Sequence, residues 1–229
     1  ASQSVACRGG NLESSRLAIE RPWIERKLAL FTAVNIEGKQ SRRPKRDSDR
    51  WFTDPRLPAT EQTGEAVYRD NPLDRGHLVR RLDPAWGATE ALARVANDDT
   101  FHFTNCCLQL SGFNQQQARW QGIEQFLLER KAKKDKIRIS VITGPIFKAS
   151  DPKYKNNAME APVRIPLEFW KVCALVREDG TLSATAFILS QADITSLPGF
   201  EAFLAVALHR LGGQRDDRQR AEIGVAADL

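Results

Sequence analysis

The stretch NPLDRGHLVRR, residues 71–81, sets one of only three histidines of the chain among basic residues. Gly76, directly before His77, lets the backbone run close to a neighbouring group. Two interpretations are open from these residues alone. His77 is a structural histidine in a basic loop, which is the commoner case, or it is a base placed against a phosphate. The second interpretation requires partner residues elsewhere in the chain.

The downstream sequence contains suitable partners for cutting a phosphodiester bond. That reaction needs a base for water, positive charge for the phosphorus, and stabilisation of the leaving oxygen. The planar fork of Arg75 suits a phosphate, and the side-chain oxygens of Asn114 and Glu124 suit a cation of the Mg²⁺ type. Each is more often structural when taken alone, Asn114 as a helix cap and Glu124 as a solvated charge.

Composition limits the classes of protein and partner. The 229 residues are 41% hydrophobic, which suits one globular domain with a well-buried core. The net charge of +5 favours polyanion partners, nucleic acid before an acidic membrane. The longest apolar runs are far shorter than the ~20 residues of a membrane span, so we expect no membrane association.

The start of the sequence bears on where the protein is located in the cell and on whether it is part of a longer chain. No basic-then-apolar signal segment opens the chain, which favours a cytoplasmic over a secreted protein. The chain begins with Ala1 rather than Met, so a processed product or a fragment of a longer protein stays open. A fusion to another domain is therefore also open.

The four cysteines do not predict a disulfide framework. Cys7, Cys106, Cys107 and Cys173 lack the spacing of a small disulfide-rich scaffold and of a CxxC zinc site. Buried free thiols are favoured, while a bridge between Cys7 and Cys173 stays open. A zinc site made by Cys106, Cys107, His102 and His77 is disfavoured because adjacent cysteines point to opposite faces of a strand.

Periodicity and turn residues predict a mixed α+β domain. Strands are predicted at 28–36, 99–110, 136–147, 161–179 and 181–191, with Asp179-Gly180 as a hairpin turn. Helices are predicted at 89–98, 115–134 and 197–213. The order neither alternates nor segregates cleanly, so we expect α+β in one domain over 1–229, with an irregular arm at 1–26 and a loosely held tail at 214–229.

Two basic segments are candidate phosphate tracks. The loop at 38–58 is rich in arginine and holds Trp51 and Phe52, which could anchor the loop or stack on bases. The segment RKAKKDKIR, 130–138, closes a predicted helix. A solvated basic surface is an equally good interpretation of either. The residues predicted to contact nucleic acid are Arg50, Arg75, Arg80, Arg81, Lys133 and Lys134.

Two longer motifs resemble a known family. DRGHLVRRLDPAWG, 74–87, followed by FHFTNCCLQLSGFNQQQARWQGIE, 101–124, is similar to the DNA/RNA non-specific endonucleases, which include secreted bacterial nucleases and mitochondrial endonuclease G. A weaker likeness reaches from the strand at 28–36 to that at 136–147. The resemblance implies a ββα-metal fold with a central antiparallel sheet flanked by helices, and hydrolysis of DNA and RNA to 5′-phosphate products.

The resemblance also implies roles for individual residues. His77 would be the general base, and Asn114 would bind one metal ion, usually Mg²⁺ with Mn²⁺ as a substitute. Glu124 would orient metal-bound water, and Arg75 would contact phosphate in the catalytic group. Asn105 would complete that group from the supporting strand. Asp74 would lie behind the site.

The chain departs from the family pattern in three places. Leu108 stands where many members have proline, and two extra residues separate Asn114 from Trp120. Arg50 lies one position out of register with a basic residue of the family. The extra residues are expected in a loop or a first helical turn, because they would otherwise rotate Glu124 away from Asn114.

Other functions and partners stay open. A basic chain of this fold could be a nucleic-acid-binding or effector module with a weak catalytic site. DNA and RNA are the predicted partners, with a homodimer or an inhibitor protein as further alternatives. His102 lies in an apolar strand pattern and is predicted to be a core residue, and His209 lies late in an apolar helix and is predicted to be structural.

Overall fold

A computed structural model describes residues 4–7, 26–47, 49–115 and 120–192. The predicted helix at 197–213 and the tail at 214–229 lie outside them. The strands of this part of the chain are β1 (Ser4–Cys7), β2 (Phe31–Glu37), β3 (Leu73–His77), β4 (Cys106–Leu110), β5 (Arg138–Ile146), β6 (Lys153–Tyr154), β7 (Val163–Arg164), β8 (Glu168–Val176) and β9 (Leu182–Ser190). The helices are α1 (Glu90–Asp98), α2 (Ser111–Asn114) and α3 (Trp120–Gln125), which continues as a π-helix over Phe126–Lys133.

Five strands form the central sheet of the described residues, in the order β1-β2-β5-β8-β9 and antiparallel throughout. Burial alternates along β5 and β8, so each strand turns every second side chain to the core. Val34 and Ile139 of the sheet belong to one buried cluster with Ile123 and Leu128 of α3 and its π-helical continuation. This packing fixes the third helix against the sheet.

A second, two-stranded sheet leads into the helices. β3 pairs antiparallel with β4, with Leu73 opposite Leu110 and His77 opposite Cys106. α1 lies in the connection between β3 and β4, and α2 starts at the residue after β4, so the strand pair leads directly into a helix. Phe113 of α2, Trp120 of α3 and Phe169 of β8 pack ring to ring at 5.5–5.8 Å between centroids, and this contact ties the second sheet to the first.

Most predicted elements are confirmed. The strand ending near Ile36 is β2, the helix at 89–98 is α1 with Thr89 as its N-cap, and the strand at 136–147 is β5. The hairpin turn at Asp179-Gly180 joins β8 to β9, and Gly180 has a positive φ of 83°. The α+β class with an antiparallel sheet is therefore correct.

Several boundaries differ from the predictions. Residues 71–81 contain strand β3, which the sequence did not predict. Only the second half of the predicted strand at 99–110 is a strand, because Phe103–Asn105 forms a 3-10 turn. The predicted strand at 161–179 is divided between β7 and β8. Within the predicted irregular arm, 1–26, β1 forms the outer strand of the central sheet, beside β2.

The helices of the described residues are short. None of those in the described ranges has the length and apolar character needed to cross a membrane.

Candidate active site

A cleft of about 590 Å³ opens where β3 meets α2 and α3. Its walls are formed by Arg43, Arg46, Asp49, Trp51, Asp74, Arg75, His77, Arg80, Arg81, Leu82, Asn114, Gln115, Gln121 and Glu124. Five of these side chains are arginines and three are acidic, so the cleft carries an excess of positive charge. A cleft of this charge suits a phosphate-bearing ligand.

His77 is framed by two aromatic rings. Its imidazole lies 4.7 Å from the ring centroid of Trp51 and 4.9 Å from that of Phe101, which meets it edge on. These contacts hold the ring plane while the side chain still lines the cleft. His77 is therefore oriented by packing rather than left mobile in a loop.

Thr100 determines which imidazole nitrogen is free. Thr100 Oγ1 lies 3.3 Å from His77 Nε2 and donates its single proton to the carbonyl oxygen of Asn97 at 2.7 Å. The hydroxyl can then only accept from His77, so Nε2 carries the proton. Nδ1 keeps its lone pair and is the nitrogen that can accept a proton.

The surroundings of His77 favour the neutral imidazole. Burial lowers its pKa from 6.5 to about 3. The Asp49 carboxylate acts in the opposite direction, and the nearby arginines Arg46, Arg81 and Arg80 lower the pKa further. His77 is therefore unprotonated at neutral pH, which is the state a general base requires.

Gly76 is required by a close packing contact. A Cβ built on Gly76 would lie 2.0 Å from Oε1 and 2.6 Å from Cγ of Gln109, a side chain with no exposed surface. Gln109 sits on β4, directly opposite Asp74 on β3. Any other residue at position 76 would have to displace the buried Gln109 side chain, directly beside His77.

Asn114 is positioned by Asp74. Its Nδ2 donates to Asp74 Oδ2 at 2.9 Å, and Gln115 Nε2 donates to the same oxygen at 2.7 Å. Asp74 thus holds the end of α2 against β3. Because Asn114 donates through nitrogen, its amide oxygen stays available for a cation.

Glu124 lies above a buried lysine. Lys171 of β8, 1% exposed, places Nζ 3.6 Å from Glu124 Oε1 and 4.6 Å from the ring centroid of Trp120. Burial raises the pKa of Glu124, and the Lys171 cation opposes this shift. Burial also raises the pKa of the neighbouring Asp83, to about 7. Glu124 thus closes the cleft over two buried groups, Lys171 and Asp83, and these three residues are called the floor of the cleft.

The arginines of the cleft have different partners. Arg75 forms an ion pair with Glu65, with its guanidinium 5.1 Å from the ring centroid of Tyr68. Arg80 Nη1 lies 3.5 Å from the carbonyl oxygen of Glu124, and Arg81 Nη1 donates to Asn97 Oδ1 at 2.9 Å. All three line the cleft, and the charge of each remains available to a polyanion.

The predicted residues do not all lie in this cleft. Asn105 is buried, and its amide bonds to the backbone of Val79 and Thr100. It supports the segment that follows His77 rather than facing the cleft. Arg50 lines a neighbouring cleft, Lys133 pairs with Glu129 at 3.1 Å, and Lys134 is exposed outside both clefts.

Sequence reasoning did not identify Thr100, Asp83 or Lys171. Lys171 had a signal, since it falls between Phe169 and Cys173 on the buried face of a predicted strand, where a lysine needs a partner. Asp83 and Thr100 had none, because their contacts depend on tertiary structure. His102, predicted to be core, is half exposed beside Phe52.

The donors in the cleft fit a hard divalent cation. Asn114 and Glu124 offer oxygen atoms, and Glu124 Oε1 is buried without a hydrogen-bond partner among the described residues. In the described part of the chain this oxygen has only the ion pair with Lys171 at 3.6 Å, so a cation in the cleft could satisfy it further. Magnesium needs few protein ligands because it keeps several waters.

The cysteines lie elsewhere. Cys106, Cys107 and Cys173 are buried free thiols. Burial raises the pKa of Cys106 to about 12 and that of Cys107 well above its usual value, so both stay protonated and are poor zinc ligands. Within the described ranges, no three His, Cys, Asp or Glu side chains are grouped as a metal site.

The chain matches a known protein family in sequence and a solved structure in fold. Residues 18–210 match the family described as DNA/RNA non-specific endonuclease. The fold is similar to that in the crystal structure of the EndoG/EndoGI complex, which addresses the mechanism of EndoG inhibition. The TM-score is 0.57 at 18% identity, over 72% of this chain and 67% of that one. At this identity the likeness concerns the fold alone.

Two curated proteins are similar in sequence. Uncharacterized protein y4fB of Sinorhizobium fredii (strain NBRC 101917 / NGR234) is 43% identical over 175 residues, 74% of this chain. Nuclease C1 of Cunninghamella echinulata var. echinulata is 33% identical over 160 residues, 67% of this chain. The matched regions span 25% of the first relative and 60% of the second.

Proposed function

The chain belongs to the DNA/RNA non-specific endonuclease family, and on that premise we propose that it hydrolyses phosphodiester bonds in both DNA and RNA, leaving 5′-phosphate ends. One observation carries the proposal. His77, Arg75, Asn114 and Glu124, which come from three separate elements, line a single positively charged cleft. A base, a phosphate-binding cation and oxygen ligands for a metal are thereby brought together.

The family is metal-dependent, and the proposed ion is one Mg²⁺, with Mn²⁺ as a substitute. Asn114 would hold it through its amide oxygen, and Glu124 would hold it or orient its waters. When bound, the cation neutralises charge on the phosphate and on the leaving 3′ oxygen. Asp74 and Lys171 keep these two ligands in place through the contacts described above.

His77 is the proposed general base. Its Nδ1 takes a proton from a water molecule as the water oxygen attacks phosphorus in line with the leaving group. The bond from phosphorus to the 3′ oxygen breaks, that oxygen takes a proton from solvent water to become a 3′ hydroxyl, and the phosphate stays on the 5′ end of the other fragment. Thr100 keeps the ring in the tautomer that this step requires.

Arg75 stabilises the charge that grows on the phosphate oxygens. Its guanidinium is preoriented by Glu65 and by the face of Tyr68, so little side-chain entropy is lost when it binds. The other arginines of the cleft contact phosphates along the strand. Phosphate contacts carry no sequence information, which supports weak sequence preference.

Cleavage of plasmid DNA and of RNA, with Mg²⁺ and with EDTA, tests the proposal. We expect both substrates to be cut in Mg²⁺, with 5′-phosphate ends, and no cutting in EDTA. Binding of nucleic acid without cutting in Mg²⁺ would favour the binding-module alternative. Cutting that EDTA leaves unchanged would contradict the metal-dependent reaction.

A matched pair of amide variants tests the metal ligand. Asn114→Ala removes the proposed ligand, whereas Gln121→Ala removes another polar side chain of the same cleft. We expect Asn114→Ala to weaken Mn²⁺ binding, measured by titration calorimetry, and to reduce cleavage. Gln121→Ala should leave Mn²⁺ binding unchanged, and equal loss in both variants would contradict the assignment.

A further inference from the structure

A second cleft, of about 470 Å³, adjoins the catalytic one. The two clefts share Arg46, Asp49 and Arg81 in their walls, so they lie side by side. The second cleft also contains Phe52 and two arginines, Arg50 and Arg94. The catalytic mechanism uses none of these three side chains.

Phe52 is exposed, and its backbone is held by hydrogen bonds. Its side chain is 51% exposed, yet its backbone N–H donates to Phe101 and its carbonyl accepts from Phe103, both at 2.9 Å. One side of its ring lies near His102, at 6.0 Å between centroids. The backbone that carries the ring is therefore fixed before any ligand arrives, which lowers the entropy lost when a ligand stacks on the ring.

Neighbouring residues serve the two clefts. Trp51 lines the catalytic cleft and contacts His77, whereas Phe52 lines the second cleft. This dipeptide forms the wall between the clefts. A strand that crosses the wall would leave one nucleotide beside Trp51 and its neighbour beside Phe52.

The two added arginines differ from those of the catalytic cleft. Arg46 is paired with Asp49, and Arg81 donates to Asn97. Among the described residues, no hydrogen bond or ion pair joins Arg50 or Arg94 to the protein. The lining of this cleft has four arginines against three aspartates, Asp47, Asp49 and Asp98. An excess of positive charge beside an exposed ring matches the composition of sites that bind single-stranded nucleic acid.

A single exposed phenylalanine needs no explanation by itself, because folded proteins expose many apolar side chains. Here the ring is carried on a hydrogen-bonded backbone, lines a cleft that adjoins the catalytic one, and shares that cleft with two arginines that have no hydrogen-bond or ion-pair partner among the described residues. A ligand that has both a flat base and a phosphate would account for the ring, the adjoining cleft and the arginines together.

We propose that the second cleft binds an unpaired nucleotide of the strand being cut, with its base on Phe52 and adjoining phosphates on Arg50 and Arg94. This inference rests on the proposed function. Every base has a π-face, so the contact adds affinity without sequence preference. A base inside a duplex already stacks on its neighbours and must be unstacked first, so the cleft favours single-stranded DNA and RNA over duplexes.

Binding of a labelled single-stranded oligonucleotide of about 12 nucleotides tests the inference, with fluorescence anisotropy in EDTA so that the strand stays intact. We expect Phe52→Ala to weaken binding about tenfold, and Phe52→Tyr, which keeps a ring, to bind like wild type. Leu92→Ala is the matched control, because Leu92 is 54% exposed on α1 and lines neither cleft. It should have no effect.

Cleavage kinetics in Mg²⁺ give the second readout. Phe52→Ala should raise KM for the single strand while kcat is kept, and should leave hydrolysis of bis(4-nitrophenyl) phosphate, which is too small to reach the second cleft, unchanged. Equal binding by Phe52→Ala and wild type, or equal loss on both substrates, would overturn the inference. If wild type cuts neither substrate, the proposed function fails, and the anisotropy comparison still decides whether the cleft binds single strands.

Discussion

The rim and the floor of the catalytic cleft both carry charged side chains, but those of the rim are exposed to water and those of the floor are buried. At the rim, the side chains of Arg43 and Arg46 are 65% and 63% exposed. At the floor, the side chains of Lys171 and Glu124 are 1% and 9% exposed. Rim charges are screened by water and salt, so they attract a long polyanion without being fixed in place. Floor charges are unscreened, so each depends on its partner and holds that partner in position.

Removing the floor lysine should have the largest effect on stability. Lys171→Met fills similar volume but leaves Glu124 and Asp83 without their buried cation. We expect the free energy of unfolding to fall by about 3–5 kcal/mol, measured by urea denaturation at neutral pH. The loss should be smaller at acidic pH, because burial raises the pKa of Glu124 and the carboxyl is then neutral.

Lys153→Met is the control for that change, since Lys153 is exposed on β6. It should alter stability by less than about 0.5 kcal/mol. Similar losses in the two variants would show that the floor charges are no more tightly coupled than surface charges.

Gly76 lies between these two regions, on β3, where it packs against the Gln109 side chain of β4. Gly76→Ala should destabilise the fold by about 1–3 kcal/mol, because its Cβ would overlap the buried Gln109 side chain. Gly64→Ala, where nothing lies within 4 Å of the added Cβ, should be nearly neutral. Thermal unfolding of both variants compares the two positions. Equal melting temperatures would mean that Gln109 moves aside without cost.

The partly buried, desolvated imidazole of His77 should make stability depend on pH. Its folded-state pKa of about 3 lies below the value of 6.5 expected in the unfolded chain. Between these values the unfolded chain binds a proton that the folded protein does not, so this contribution to stability is full above pH 6.5 and is lost as pH falls. The melting temperature of His77→Gln minus that of wild type should therefore increase as pH falls from about 7 to about 4. A constant difference would contradict the lowered pKa.

The smallest effect on stability is expected at the rim. Arg46→Gln should leave the melting temperature nearly unchanged but reduce the salt dependence of single-strand binding by about 0.7 in logarithmic slope. Lys134→Gln should change neither, because Lys134 lies outside both clefts. A reduced slope in Lys134→Gln alone would instead place the substrate along the basic segment at 130–138.

The sequence predicted those parts of the fold that depend on local signals. β2 and β5 are apolar runs, α1 has a threonine cap, and the β8–β9 hairpin has an Asp-Gly turn. β3 carried no such signal, because Asp74, Arg75, Gly76 and His77 are polar or small in succession. Its strand conformation comes from pairing with β4, about thirty residues further along the chain, and nothing in residues 71–81 indicates that partner.

In the candidate active site, too, local sequence features could be predicted and tertiary contacts could not. The residue types of His77, Arg75, Asn114 and Glu124 indicated phosphodiester chemistry, and the structure places them in one cleft. The sequence could not show that Asn105 turns its amide to the backbone, or that Thr100 sets the tautomer of His77. Those facts depend on where single atoms lie, which residue type and spacing do not determine.

The rate of plasmid cleavage by His77→Ala, against that of His102→Ala, tests the central claim most directly. Both variants remove an imidazole that contacts an aromatic ring, but only His77 lines the catalytic cleft. With Mg²⁺ present, we predict that His77→Ala cuts about 10²–10⁴ times more slowly than wild type, and that His102→Ala cuts at nearly the wild-type rate. Cleavage by His77→Ala at the wild-type rate, in protein that remains folded, would contradict the assignment of His77 as the base.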